Sequence, residues 1–134
     1  MEDEFKEYLK EVKFDKHFSR LKKKFKNKSI IIYGTGKLFQ FIKDNYNISS
    51  LNIIGISDKK FSPEEEGEMH LGYKIIPKDK IPKYNPDYVI VAALEYSEII
   101  EDFYHTEFNR SKIKIIPLVK IPILKLLEKI WSKN

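Results

Sequence analysis

Four short runs of apolar residues, with almost no polar alternation inside them, constrain this chain more than any other feature: Ser29 to Tyr33, Leu51 to Ser57, Tyr88 to Leu94 and Ile113 to Pro117. A strand with one wet face alternates apolar and polar side chains, whereas a run apolar at nearly every position needs cover on both faces. Between the runs lie segments with a helical apolar period, Lys37 to Tyr46 through Leu38, Phe39, Phe41 and Ile42, and Ser97 to Phe108 through Ile99, Ile100, Phe103 and Tyr104. Strand and helix patterns in alternation predict an α/β fold, a Rossmann-like doubly wound parallel sheet of about four to five strands with flanking helices. With Tyr73 to Ile76 counted as a short third strand, the expected order is 3-2-1-4-5.

The 134 residues suit one domain, divided into an N-terminal helical segment (1–28), an α/β core (29–117) and a C-terminal helix (118–134). Phe5, Leu9 and Val12, then Phe14, Phe18, Leu21 and Phe25, keep three- and four-residue steps with one slip, which predicts one kinked helix or two short ones. Lys22, Lys23, Lys24 and Lys26 complement the negative end of that helix, so the basic run needs no ligand. Lys59 to Leu71 has no period and reads as an exposed loop, and Pro77 to Ile81 as a single helical turn ahead of Pro82 and Pro86. Ile123, Leu126, Leu127 and Ile130 share one face of a helix from Pro122 to Trp131.

The charge balance is +5, but only two of the 25 basic residues are Arg. Phosphate and base-edge recognition lean on the guanidinium fork, so a dedicated nucleic-acid binder is not expected. No cysteine is present, the N-terminus is acidic with no apolar stretch behind it, and no apolar run approaches bilayer length. A cytoplasmic protein that does not use a membrane is the expectation.

Chemistry concentrates after the first strand. Tyr33-Gly34-Thr35-Gly36-Lys37-Leu38 places two glycines between a strand and a helix, as in the dinucleotide fingerprint, with Phe39 where the third glycine would fall. Gly34 suits the tight turn, Gly36 lets a diphosphate approach the backbone, the helix start attracts the anion and Lys37 adds charge. Asp58 ends the second strand 24 residues after Gly34, where a carboxylate can accept hydrogen bonds from ribose hydroxyls, and Lys59 and Lys60 bear on a 2′-phosphate. The plainer alternative is a convenient turn and a loop-capping Asp. His17, His70 and His105 stand apart in sequence, so no metal is expected. Glu95 and Tyr96 are rim candidates, and Ser97 suits a helix N-cap.

The runs Ile-Ile-Ile-Tyr-Gly-Thr-Gly-Lys, Ile-Ile-Gly-Ile-Ser-Asp, Leu-Gly-Tyr-Lys-Ile-Ile-Pro and Pro-Asp-Tyr-Val-Ile-Val-Ala-Ala resemble the Rossmann-like module of bacterial surface-polysaccharide (nucleotide-sugar) biosynthesis proteins, over roughly Ser29 to Pro117. The resemblance implies that Gly34, Thr35, Gly36 and Lys37, with Leu38 behind them, cradle phosphate, that Asp58 meets ribose with Lys59 beside it, and that Ala92, Ala93 and Leu94 flank the ligand. It implies NAD or a nucleotide-sugar as ligand, and a second copy or a sugar-biosynthesis enzyme as partner. No acceptor domain accompanies it, so a complete catalytic set is not expected. Two alternatives stay open, a small NAD-dependent oxidoreductase and an interaction domain that has lost its ligand.

Overall fold

The structure is a computed structural model that describes residues 2–106 and 112–120. Helices α1 (Glu2–Glu11) and α2 (Phe14–Lys24) open the chain. The slip in the apolar period falls at Lys13, whose left-handed backbone (φ 55°, ψ 47°) no right-handed helix can continue through, so the segment is two helices. Their apolar stripe, Leu9, Val12, Phe14, Phe18, Leu21 and Phe25, is buried.

The sheet follows as β1 (Ile30–Tyr33), β2 (Ile53–Ser57), β5 (Tyr88–Val91) and β6 (Lys114–Pro117), in spatial order β2-β1-β5-β6 and parallel throughout. Helix α3 (Lys37–Asn45) joins β1 to β2, α4 (Ile81–Tyr84) precedes β5, and α5 (Tyr96–Tyr104) lies between β5 and β6. Strand pleating divides each run between two cores. Ile30, Ile32, Ile56 and Ile90 face α1, α2 and α3, whereas Ile31, Tyr33, Val89 and Val91 face Ile81 of α4 and Phe103 of α5. Both faces are therefore covered, as an all-apolar run requires.

The expected third strand is the largest difference. β3 (Met69–His70) and β4 (Tyr73–Lys74) form their own antiparallel pair, and only Ile75 reaches the sheet, through an isolated parallel bridge to Ile56. The Ile76 amide donates to the Ile56 carbonyl at 2.9 Å, so the chain does pass outside β2, in the expected place but for a single bridge. Gly55 makes room for it: a Cβ there would stand 2.3 Å from Ile76 Cδ1 and 2.9 Å from the Lys74 carbonyl oxygen. Pro77, lacking an amide donor, then ends the pairing.

Three local expectations change. The supposed loop from Lys59 contains a 3-10 turn, Pro63–Glu65, whose start is held by a capping box: the Ser62 amide donates to Glu65 Oε1 at 2.9 Å. Pro82 does not end a helix but sits in the first turn of α4, where its missing N–H would have no intrahelical acceptor anyway. Glu95, not Ser97, is the N-cap residue of α5, and Ser97 lies inside its first turn. Phe108, at the end of the expected fifth helix, and the expected helix from Pro122 to Trp131 lie outside the described residues.

Candidate functional site

Strand order reverses between β1 and β5, because β1 connects onward to β2 on one side while β5 and β6 lie on the other. Ligands of open α/β sheets enter at such a point, beyond the carboxyl ends of the strands. The residues meeting there are Gly34 to Lys37 from the end of β1, Asp58 from β2 and Ala92 to Leu94 from β5.

Gly34 is required by the backbone. Its φ is +112°, its amide donates to the Ser57 carbonyl at 2.8 Å, and a Cβ would lie 3.0 Å from the Ala92 carbonyl oxygen. Thr35 is fully buried, and both its amide (2.8 Å) and its hydroxyl (2.7 Å) donate to Asp58 Oδ2. This pair of bonds engages groups of both residues that the sequence reading assigns to a ligand. The Thr35 amide is already satisfied by a side chain, and one Asp58 oxygen is committed to the turn. Among the described residues Asp58 Oδ1 accepts only the Lys60 amide, at a long 3.3 Å. Burial pushes the Asp58 carboxyl up, but the Thr35 hydroxyl and amide and the Lys60 amide and charge outweigh it and hold the group below the ordinary carboxylate range.

Gly36 is built the other way. It is exposed, its backbone (φ −78°) is open to any residue, no atom lies within 4 Å of where a Cβ would stand, and it starts α3 with no side-chain cap. The first amides of a helix have no acceptor within it, so the start of α3 presents donors and the positive end of the helix dipole. Lys37 is exposed beside it. Leu38 and Phe39 turn inward instead, both buried in the core, so Leu38 can offer a ligand only its amide. Phe39, in place of a third glycine, packs toward Tyr73 with ring centroids 6.4 Å apart.

Ala92 is buried and its amide donates to the Tyr33 carbonyl at 2.8 Å, so it acts as the wall behind Gly34. Leu94 packs against the α3 side of the core and Ala93 against the α5 side, both half-buried. Tyr96 likewise packs against the α5-side core, while Glu95 is exposed.

Beside Asp58 opens a cleft of about 430 Å³, lined by Asp58, Lys59, Phe61, Pro63, Pro77 and Lys78, with Asp79 and Thr106 completing its rim. Its size falls within the range of small-molecule sites, roughly 300–1,000 Å³. Lys78 Nζ pairs with Asp102 Oδ2 at 2.6 Å and stands over the Phe103 ring, 4.6 Å from its centroid. That contact with Lys78 holds the Asp102 carboxyl below its usual range. Of the expected site residues only Asp58 and Lys59 line this cleft. Phe61, Pro63, Pro77 and Lys78 come from short 3-10 turns and the residues just before them, where sequence periodicity carries no signal, although Gly55 inside a strand run does point to a close backbone neighbour on that side.

The three histidines are apart in space as in sequence: His105 faces Glu101 at 3.6 Å, His70 stacks edge-on to Phe61, and His17 lies on α2. Among the described residues no helix is long and apolar enough to cross a membrane.

A parallel α/β sheet covered on both faces, with a strand-turn-helix glycine motif at its reversal point, defines a Rossmann-like domain. Residues 26–116 match the family described as C2185-like, N-terminal, and the chain belongs to that family. No curated protein matches the chain.

Proposed function

We propose that this domain binds a nucleotide carrying a diphosphate, NAD or a nucleotide-sugar, and serves as a binding module in surface-polysaccharide biosynthesis without a complete catalytic set of its own. The observation that carries the reading is the uncapped, exposed start of α3 at Gly36, placed at the strand-order reversal with open space above its Cα. The diphosphate rests on the amides at Gly36, Lys37 and Leu38, and the Thr35 amide stays with Asp58. Asp58 Oδ1 is the oxygen left for a ribose hydroxyl, and the base or sugar extends into the cleft against Phe61, beside Lys59. The polysaccharide link rests on the sequence resemblance alone.

Calorimetric titration with NAD, NADP, UDP-sugars and CDP-sugars tests this. Saturable binding of one of them, abolished in Gly36→Val while the fold persists, supports it; flat titrations with all four classes sink it. The Thr35 to Asp58 hydrogen bonds favour a second reading, an interaction domain whose inner seat is closed by its own side chain. Under that reading the titrations stay flat and Asp58→Asn alters stability alone.

A further inference from the structure

A second cavity, of about 280 Å³, lies between the α1–α2 junction and the segment after β6, and shares no lining residue with the Asp58 cleft. Val12, Lys13, Lys16, His17, Arg20 and Lys120 line it. Four of these are fixed cations, and none of the four takes part in an ion pair among the described residues. Asp15, the acidic residue in their midst on α2, is engaged by the Tyr46 hydroxyl, whose pKa is pushed up to about 12 by burial and by that carboxylate. Like charges gathered around one cavity repel unless a counter-charge joins them.

Two details add to this. Lys13 holds its left-handed backbone at a position where Gly or Asn would be less strained, and the side chain kept there is a cation at the cavity. His17 Nε2 is buried and has no hydrogen-bond partner among the described residues. The ring is held toward its neutral form by burial first, then by the charge of Lys120 from the segment after β6 and of Arg20 and Lys24 from α2, against the opposing Leu118 carbonyl. The aromatic neighbour is Phe14, 6.2 Å away between ring centroids, and it carries no charge.

We propose that this cavity is a binding site for a phosphate-bearing anion, with Arg20 supplying the planar fork and Lys13, Lys16 and Lys120 the point charges. The chemistry is the same for a soluble phosphate compound and for a phospholipid headgroup. An anion in the cavity supplies the missing counter-charge, raises the affinity of His17 for a proton, and so binds more tightly at about pH 6 than at pH 8. The site does not depend on the nucleotide reading of the Asp58 cleft.

The test uses the full chain at low ionic strength with inorganic pyrophosphate by calorimetry, with the His17 ring protons followed by NMR, and in parallel with sedimentation on phosphatidylglycerol and phosphatidylcholine vesicles. Pyrophosphate-induced shifts of the His17 resonances whose apparent affinity weakens at least tenfold in Arg20→Gln/Lys120→Gln, and which persist in Gly36→Val, assign the site to soluble phosphate compounds. Sedimentation with phosphatidylglycerol only, lost in the same double variant, assigns it to a headgroup. Both replaced residues are exposed, so the double variant keeps its fold, which circular dichroism verifies. The proposal is overturned if neither probe gives saturable His17 shifts or sedimentation, if the double variant responds as the parent does, or if Gly36→Val alone removes the His17 shifts.

Discussion

The inner and outer ends of the turn from Gly34 to Lys37 are built on opposite plans. At the inner end Gly34, Thr35 and Asp58 close on each other: a positive φ, a carbonyl 3.0 Å from the missing Cβ, and two hydrogen bonds into one carboxylate oxygen. At the outer lip Gly36 and Lys37 are exposed, and the helix behind them starts without a side-chain cap. The two glycines of a fingerprint are thus not equivalent. Gly34 is demanded by folding, whereas the described residues leave the Cβ position of Gly36 empty, which is the space the proposed ligand would use.

That contrast predicts a graded set of effects. Gly34→Ala meets both the left-handed penalty and the Ala92 carbonyl, and its cost, about 2–4 kcal/mol, is read as a fall in denaturant midpoint. A neutral result there would erase the inner end of the comparison. Gly55→Ala pushes the chain at Ile76 away from β2 and costs about 1–3 kcal/mol. Because Pro77 and Lys78 follow directly, this variant also weakens any ligand held in the cleft, which separates it from a purely local defect.

Asp58→Asn keeps an acceptor for Thr35 but removes its charge, at a cost of about 1–2 kcal/mol. The Asp58 carboxyl is depressed in the folded state, so its contribution is present above the ordinary carboxylate pKa and is lost as pH falls through the lower folded value. Stability measured from neutral to acid pH therefore falls less steeply in Asp58→Asn than in the parent. Equal slopes would mean that the hydrogen bonds to Oδ2 contribute no pH-dependent stability. Smallest in stability is Gly36→Val, about 0.5–1 kcal/mol, because its backbone is unstrained and its Cβ site is empty. A large loss of stability there would show that Gly36, too, serves the fold.

The central sheet was legible because Ile30 to Tyr33 and Tyr88 to Val91 are apolar at every position, a pattern that only cover on two faces explains. The break between α1 and α2 was legible as the slip at Lys13. Tyr73 to Ile76 misled because its β-formers, Tyr73, Ile75 and Ile76, divide their pairing between two sheets, and Gly55, across the gap, hints at the arrangement. The capping box at Ser62 stood in the sequence as Ser-x-x-Glu and was obscured by the acidic run around it. The bond from Thr35 to Asp58 had no signal, since it depends on how two strand ends meet across 23 positions of chain. The cleft was hidden for the same reason: Phe61 and Lys78 converge only after the segment between them folds back against β2.

Amide-resolved NMR during titration with the tightest-binding nucleotide tests the account most directly. The predicted result is that shifts concentrate on Gly36, Lys37, Leu38 and Lys59, while the Thr35 amide keeps its slow hydrogen exchange because its bond to Asp58 survives. Shifts that leave Gly36 and Lys37 untouched, or a Thr35 amide that loses protection as ligand binds, would contradict a closed inner end beside an open lip.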